Sequence, residues 1–174
     1  MDLSEYDVGL IRSLLMFLYT AEYAFTADAT GRGEPSFHVR MYSLGDKYDI
    51  PPLKAYARSE LSSALSPENT LSEDLLDAIP LVYEVLPESD RNLRDIVVSS
   101  ARACMEGVVK NPSLKTQLAE VLDAVPEFSM DLLTDYATYP SRIICWACSA
   151  NQYLPRGPTC SVCQTPVYHS PSIQ

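Results

Sequence analysis

Two C-x-x-C motifs near the carboxyl end constrain the fold of this chain more than any other feature of its sequence. Cys145 and Cys148 form the first motif, and Cys160 and Cys163 form the second, with eleven residues between them. Two residues between paired thiolates let one tight turn present both sulfurs to a single ion, and a short hairpin brings the second pair across. The spacing therefore predicts a four-cysteine site for one structural zinc ion, with these side chains as its ligands.

Other uses of the four cysteines fit less well. The chain shows neither a basic secretory leader nor an apolar run long enough to span a membrane, so an intracellular location, cytoplasmic or nuclear, is expected. Two disulfide bonds are not expected in that reducing environment, and a redox C-x-x-C motif does not account for the second pair. Because protein ligands would fill all four coordination positions, the predicted zinc has no open position for activating water.

Charge is divided unevenly along the 174 residues and marks a boundary near Tyr139. All 23 acidic residues and 11 of the 13 basic residues precede Pro140, so the net charge of that part is −12. The remaining residues carry only Arg142 and Arg156 as charged side chains. An acidic body repels nucleic-acid phosphates, and two arginines attract them weakly. Nucleic-acid binding is therefore not the expected function.

The acidic part is predicted to be mainly helical, because apolar residues recur along it at helical spacing. A helical hairpin is the clearest case: one stripe covers residues 37–48, Pro51 and Pro52 stop that helix and start another, and a second stripe runs from Leu53 to Leu65. The principal stripes expected to face a core are Val8, Ile11, Leu15 and Leu18; Phe37, Met41, Leu44 and Tyr48; Leu75, Ile79, Val82 and Leu86; Leu93, Val97, Ala101, Cys104 and Val108; and Leu114, Leu118, Val121 and Val125.

Two local features interrupt the helical pattern. Pro80 lies inside the third of these stripes and is expected to kink or divide its helix. Tyr23 and Phe25 occupy alternate positions in the stretch 22–27, which predicts one short strand. The sequence therefore predicts a mainly α body with at most one short strand.

Three stretches of this body resemble the second half of a BTB/POZ domain, of the kind common in fungi, and the helical extension that follows it. They are LLMFLYTAEYAF (14–25), HVRMYSLGDKYDIPPLKAYARSEL (38–61) and the stretch 60–98. The residues that match the family pattern are Leu18, Tyr19, Thr20, Gly45, Asp46, Lys47, Tyr48 and Leu53. The resemblance implies a partial BTB/POZ-like domain at 1–66 and a helical extension at 67–139, and the cysteine spacing adds a small zinc-ribbon-like β tail at 140–174.

The resemblance also implies a non-enzymatic role in protein–protein interaction, as an adaptor or oligomerisation domain. The partner it implies is a second copy of the chain or a cullin-type ubiquitin ligase scaffold, and the residues it places at or near the partner surface are Tyr19, Glu22, Tyr23 and Asp46. The family's domain begins with strands and helices that have no counterpart before residue 1 here. In the family, those first strands and helices cover faces of the helices that follow. The corresponding helix faces of this chain are therefore expected to be exposed.

An alternative function from another class remains open at this point. It is a transcription-associated zinc protein that contacts nucleic acid through the four-cysteine tail. An enzyme is not expected, because the sequence has no Ser-His-Asp set, phosphate-binding glycine loop or H-E-x-x-H motif. His38 is expected at a helix edge, His169 is not expected to be a metal ligand, and Cys104 is expected to pack within an apolar stripe.

Overall fold

The computed structural model describes residues 6–25, 33–66, 72–138, 142–144, 151–153 and 163. Within these residues the chain forms seven α-helices and one pair of short β-strands, so the mainly helical prediction is confirmed. The helices are α1 (Val8–Thr20), α2 (Glu34–Lys47), α3 (Pro51–Ala64), α4 (Ser72–Val85), α5 (Arg91–Lys110), α6 (Pro112–Ala124) and α7 (Pro126–Thr138). The antiparallel strands are β1 (Arg142–Ile144) and β2 (Asn151–Tyr153). The chain divides into two compact units, residues 1–132 and 133–174.

Helices α2 and α3 form the predicted hairpin, and its turn explains the abrupt change at Pro51. The Ile50 amide donates to the Gly45 carbonyl at 2.8 Å, and Asp49 adopts a left-handed conformation with φ of 52°. A Cβ on Gly45 would lie 3.0 Å from the backbone nitrogen of Lys54, so only glycine lets the two helices approach this closely. Ile50, and not the neighbouring Asp49, is the N-cap residue of α3.

Helix α4 continues through Pro80, so of the two expected effects, a kink or a division of the helix, the division does not occur. Proline removes one backbone donor and crowds the preceding turn, but it does not prevent a helix that is held from outside. Its neighbours Leu75, Leu76, Ile79 and Val82 are buried against α2, α5 and α6. Tertiary burial therefore outweighs the local cost of the proline.

Side-chain caps begin three of the helices. Asp7 accepts from the Gly9 amide at 2.8 Å and starts α1, and Asp90 accepts from the Asn92 amide at 3.1 Å and starts α5. Asn111 ends α5 and starts α6, where its side chain accepts from the Ser113 amide at 3.0 Å. Each cap satisfies an amide that the first helical turn leaves without a partner.

The core of the first unit is built from the predicted stripes of α2 and α4–α6, with two exceptions. Tyr48 is half-buried at the end of α2, while Tyr42 of the same helix is fully buried in its place. Cys104 is half-buried and packs against the core. The α2 stripe ends at Leu44, because Tyr48 is the C-cap residue, where the helical periodicity ends.

The short strand predicted at 22–27 does not form in the described residues 22–25. The alternation of aromatics still has a structural role, because Tyr23 is buried and Phe25 is partly buried against the same core. In the described part of the chain, none of the helices combines the length and apolar character needed to cross a membrane.

Candidate functional site

Helix α1 is apolar on two faces, and only one of them is covered within the described part of the chain. Leu10, Leu14 and Phe17 face the core. The opposite face carries exposed apolar side chains, from 47% exposed at Leu15 to 89% at Tyr19. We call this face the α1 surface, and it consists of Val8, Leu15, Met16, Leu18 and Tyr19.

The stripe predicted for α1 was therefore assigned to the wrong side of the helix. Val8, Leu15 and Leu18 were expected in the core, but they lie on the exposed face. Periodicity alone does not distinguish two apolar faces, and the packing of α1 on α2 selects the face that carries Phe17. A helix that is apolar on both faces is itself the sequence signal of a second contact surface.

The four residues that the family resemblance placed at a partner surface lie in different environments. Tyr19 belongs to the α1 surface, and Glu22 is exposed just beyond the end of the helix. Tyr23 is buried, which corrects its assignment to a surface, because its ring packs against Phe37 and Tyr56. Asp46 is exposed but bound to Lys54. Tyr19, Glu22 and Asp46 are therefore exposed, and Tyr23 is not.

Tyr23 and His38 form a buried polar pair inside an aromatic cluster. The Tyr23 hydroxyl lies 3.0 Å from Nδ1 of His38, and the His38 Nε2 atom lies 3.6 Å from a Glu34 carboxylate oxygen. His38 is 1% exposed, so its expected position at a helix edge was wrong. Burial lowers the pKa of His38, and the neighbouring Glu34 opposes this shift only in part. The imidazole is therefore held neutral as part of the core.

The lowered pKa of His38 predicts that acid weakens the first unit before its carboxylates titrate. The unfolded chain takes up a proton at histidine near pH 6.5, whereas the folded chain resists it. The contribution of neutral His38 is thus complete above about pH 6.5 and is lost as the pH falls through its folded value. We expect the free energy of unfolding, measured in denaturant, to fall between about pH 7 and 5 in the wild type.

The matched variant for this test is His38→Asn, which keeps an acceptor near the Nδ1 position. This variant should have a lower free energy of unfolding than the wild type at pH 7. Between about pH 7 and 5, however, its free energy of unfolding should change less with pH. His169→Asn replaces the other histidine of the chain and should keep the wild-type slope. If the unfolding free energy of the wild type and of His38→Asn changed equally with pH, His38 would not be the source of the pH dependence.

Asp90 joins three helices through one carboxylate. It caps α5, accepts from the Tyr42 hydroxyl at 2.9 and 3.1 Å, and pairs with Lys54 of α3 at 3.1 Å. Lys54 reaches Asp46 of α2 at 2.6 Å as well. Burial disfavours the charge of Asp90, but the hydrogen bonds from Tyr42, Asn92 and Lys54 outweigh it and lower the pKa. An aspartate directly before a helix is a common cap, but no local pattern indicates the contacts of Asp90 with α2 and α3.

A second polar group connects α4, α5 and α7. The Tyr83 hydroxyl donates to Asp131 at 2.6 Å, and Arg91 donates to the other carboxylate oxygen of Asp131 at 2.8 Å. The Arg94 guanidinium lies over the Tyr83 ring at 4.5 Å. Burial and the Asp131 carboxylate raise the pKa of Tyr83, which keeps its proton in this hydrogen bond. These side chains link the three helices through their hydrogen bonds and ring contact.

The strand pair of the second unit brackets the first C-x-x-C motif. Ile144 of β1 pairs with Asn151 of β2, so the chain between the paired ends is residues 145–150 and includes Cys145 and Cys148. Cys145, Cys148 and Cys160 lie outside the described residues, whereas Cys163 lies in a turn and is half-buried. The residues that the structure describes contain no cluster of three or more His, Cys, Asp or Glu side chains able to hold a metal ion.

Comparison of the chain with known protein families, with curated proteins and with solved structures found no match.

Proposed function

We propose that this chain is a non-enzymatic protein–protein interaction module that presents the α1 surface to a protein partner. The observation that carries the proposal is the exposed apolar face of α1, five large side chains on one helix. Contiguous apolar patches are uncommon on the surface of monomers and usually mark contact sites. Arg12 is the only charged residue of α1 and is exposed, so a partner that covers this face has a single charge to pair or to leave at the rim.

The buried polar groups support a binding role over a catalytic one. Asp90 and Asp131 each accept hydrogen bonds from side chains of neighbouring helices, and His38 is enclosed by aromatic rings. Contacts of this kind link helices and pack the core, which favours a binding role over a catalytic one. The resemblance to BTB/POZ domains points in the same direction, since it implies an adaptor or oligomerisation domain with a second copy or a cullin-type scaffold as partner.

The second unit is proposed to hold one structural zinc ion through Cys145, Cys148, Cys160 and Cys163. The β1–β2 pairing supports this proposal, because a hairpin connection is where a C-x-x-C pair can direct both sulfurs to one ion. Four thiolates around Zn²⁺ complete a tetrahedral site, and the bound metal would add stability that a unit of this size lacks by itself.

The α1 surface is tested with Leu15→Glu/Leu18→Glu, which places two charges on exposed positions. If a second copy is the partner, sedimentation equilibrium should show wild-type dimers, and the variant should weaken association about 100-fold or more, because each buried carboxylate costs several kcal/mol. If the partner is another protein, proteins captured by the wild type should be lost with the variant. Circular dichroism should show equal helix content in both.

Val109→Glu is the matched control, because Val109 is also exposed and apolar but lies on α5, outside the α1 surface. It should leave association and capture unchanged. The proposal would be rejected if the wild-type chain stayed monomeric and captured the same proteins as the double variant. The α1 surface would then not be a binding site.

A further inference from the structure

A cleft of about 460 Å³ lies between α4 and α6, and it shares no residue with the α1 surface. Its apolar lining comes from Leu76, Pro80 and Leu81 of α4 and from Val121 and Ala124 of α6. A second cavity of about 290 Å³ shares Pro80, Glu84 and Ala124 with it and extends the cleft to the start of α7. The two together form an open groove, which we call the α4–α6 groove.

Every charged side chain in the lining of this groove is acidic. Asp77, Glu84 and Glu120 line the larger cavity, and Glu127 lines the smaller one. Asp77 accepts from the Gln117 amide at 2.8 Å across the groove. Glu84 and Glu120 are exposed and form no ion pair with a cation of the described residues. Among the described residues, no cation pairs with these two carboxylates, so both can attract a positively charged ligand.

Two further polar groups in the lining can accept a hydrogen bond from a ligand. Ser36 is 2% exposed and contributes a hydroxyl to the lining. Pro80 has no amide hydrogen, so the Leu76 carbonyl cannot receive its helical hydrogen bond. A donor on the ligand would add hydrogen bonds at these two acceptors.

We propose that the α4–α6 groove binds a basic amphipathic helix of a partner protein. Its apolar side chains would enter the groove above Pro80 and Val121, and its cations would meet the acidic rim. Asp77 and Glu84 are seven residues apart on α4, about 10 Å along the helix axis. A ligand helix with cations at i and i+7, and apolar residues at i+3 and i+4 between them, matches this spacing.

The probe is a labelled helical peptide of about 14 residues, with arginine at i and i+7 and leucine at i+3 and i+4. We expect fluorescence anisotropy to show saturable binding to the full chain at about 0.1 M salt, weakened at higher salt. Glu84→Lys/Glu120→Lys should raise Kd about tenfold or more, because it replaces two attractions with two repulsions. Ala124→Trp fills the apolar part without changing charge and should raise Kd to a similar extent.

Glu88→Lys/Asp123→Lys is the matched control, because it makes the same change in net charge at exposed positions outside the groove. It should change Kd by less than about threefold. An equal loss in both charge variants would mean general attraction to an acidic protein and overturn the proposal. Unchanged binding to Ala124→Trp, or no saturable binding to the wild type, would also overturn it.

A second copy of the chain is the competing occupant. If the wild type sediments as a dimer that Glu84→Lys/Glu120→Lys dissociates, the groove is a self-association site and the proposal fails. Because the groove and the α1 surface are probed by different variants, failure of either proposal leaves the test of the other intact. If Ala124→Trp fails to fold, the charge variants, which change only exposed side chains, still decide the outcome.

Discussion

Replacing Asp90 with alanine is expected to lower the free energy of unfolding of the helical unit by about 2–4 kcal/mol. The change removes the cap of α5, which contributes about 1 kcal/mol, and leaves the buried Tyr42 hydroxyl without its acceptor, which costs about 1–3 kcal/mol. It also removes one of the two carboxylate partners of Lys54, while Asp46 remains. Denaturant melts followed by circular dichroism at pH 7 would measure the loss.

The pH dependence of the same variant provides a second check. The pKa of Asp90 is lowered in the folded chain, so its contribution is present above the unfolded value near 3.8 and disappears as the pH falls below it. The difference in unfolding free energy between wild type and Asp90→Ala should therefore be constant from pH 7 to about pH 5 and shrink below about pH 4.

Asp95→Ala is the control for Asp90→Ala, because Asp95 is an exposed carboxylate of the same helix that pairs only with Arg91 among the described residues. It should cost less than about 0.5 kcal/mol, the usual scale for an exposed ion pair. Tyr42→Phe should couple to Asp90→Ala in a double-mutant cycle, because the two variants remove the same hydrogen bond. If Asp90→Ala costs no more than Asp95→Ala, the three-helix junction is not a stabilising feature.

Cys148→Ser is expected to abolish zinc binding. Purified wild-type chain should contain about one zinc ion per molecule by elemental analysis, and the variant should contain almost none, because a serine hydroxyl is not a thiolate ligand for this ion. Strong chelators should remove the metal from the wild type. The helical signal should persist in both cases, because residues 1–132 form a separate compact unit that contains none of the predicted ligands.

Cys104→Ser is the matched control for this experiment. Cys104 belongs to α5, where its sulfur lies 3.4 Å from the Ala101 carbonyl, and it is not a predicted ligand. The variant should keep its zinc. Wild-type chain without zinc, in which the four predicted ligands all react freely with a thiol reagent, would reject the four-cysteine site.

Local patterns were sufficient to predict most of the helices. The buried residues of α4, α5 and α6 lie where helical spacing put them, and Pro51-Pro52 marks the hairpin turn. Helix caps also follow a local pattern, an aspartate directly before the first helical residue. Asp7 and Asp90 each accept a hydrogen bond from an amide in the first turn of the helix that follows. These features depend on interactions between residues a few positions apart, which the order of amino acids specifies directly.

The candidate sites were harder to predict, because they depend on which surface is left uncovered. Leu15 and Leu18 were expected in the core and are exposed, while Tyr23 was expected near a surface and is buried. The α4–α6 groove combines residues more than 30 positions apart, such as Pro80 and Val121. No short-range pattern indicates that such residues meet.

The order of amino acids predicts most of the helices and shows that charge and cysteines are segregated along the chain. Tertiary packing selects the buried face of α1, keeps α4 continuous through Pro80 and lets the Asp90 carboxylate join three helices. The two differ in the range of the interactions that they depend on. Caps and helical periodicity act within one or two turns, whereas burial depends on which distant elements compete for the same apolar area.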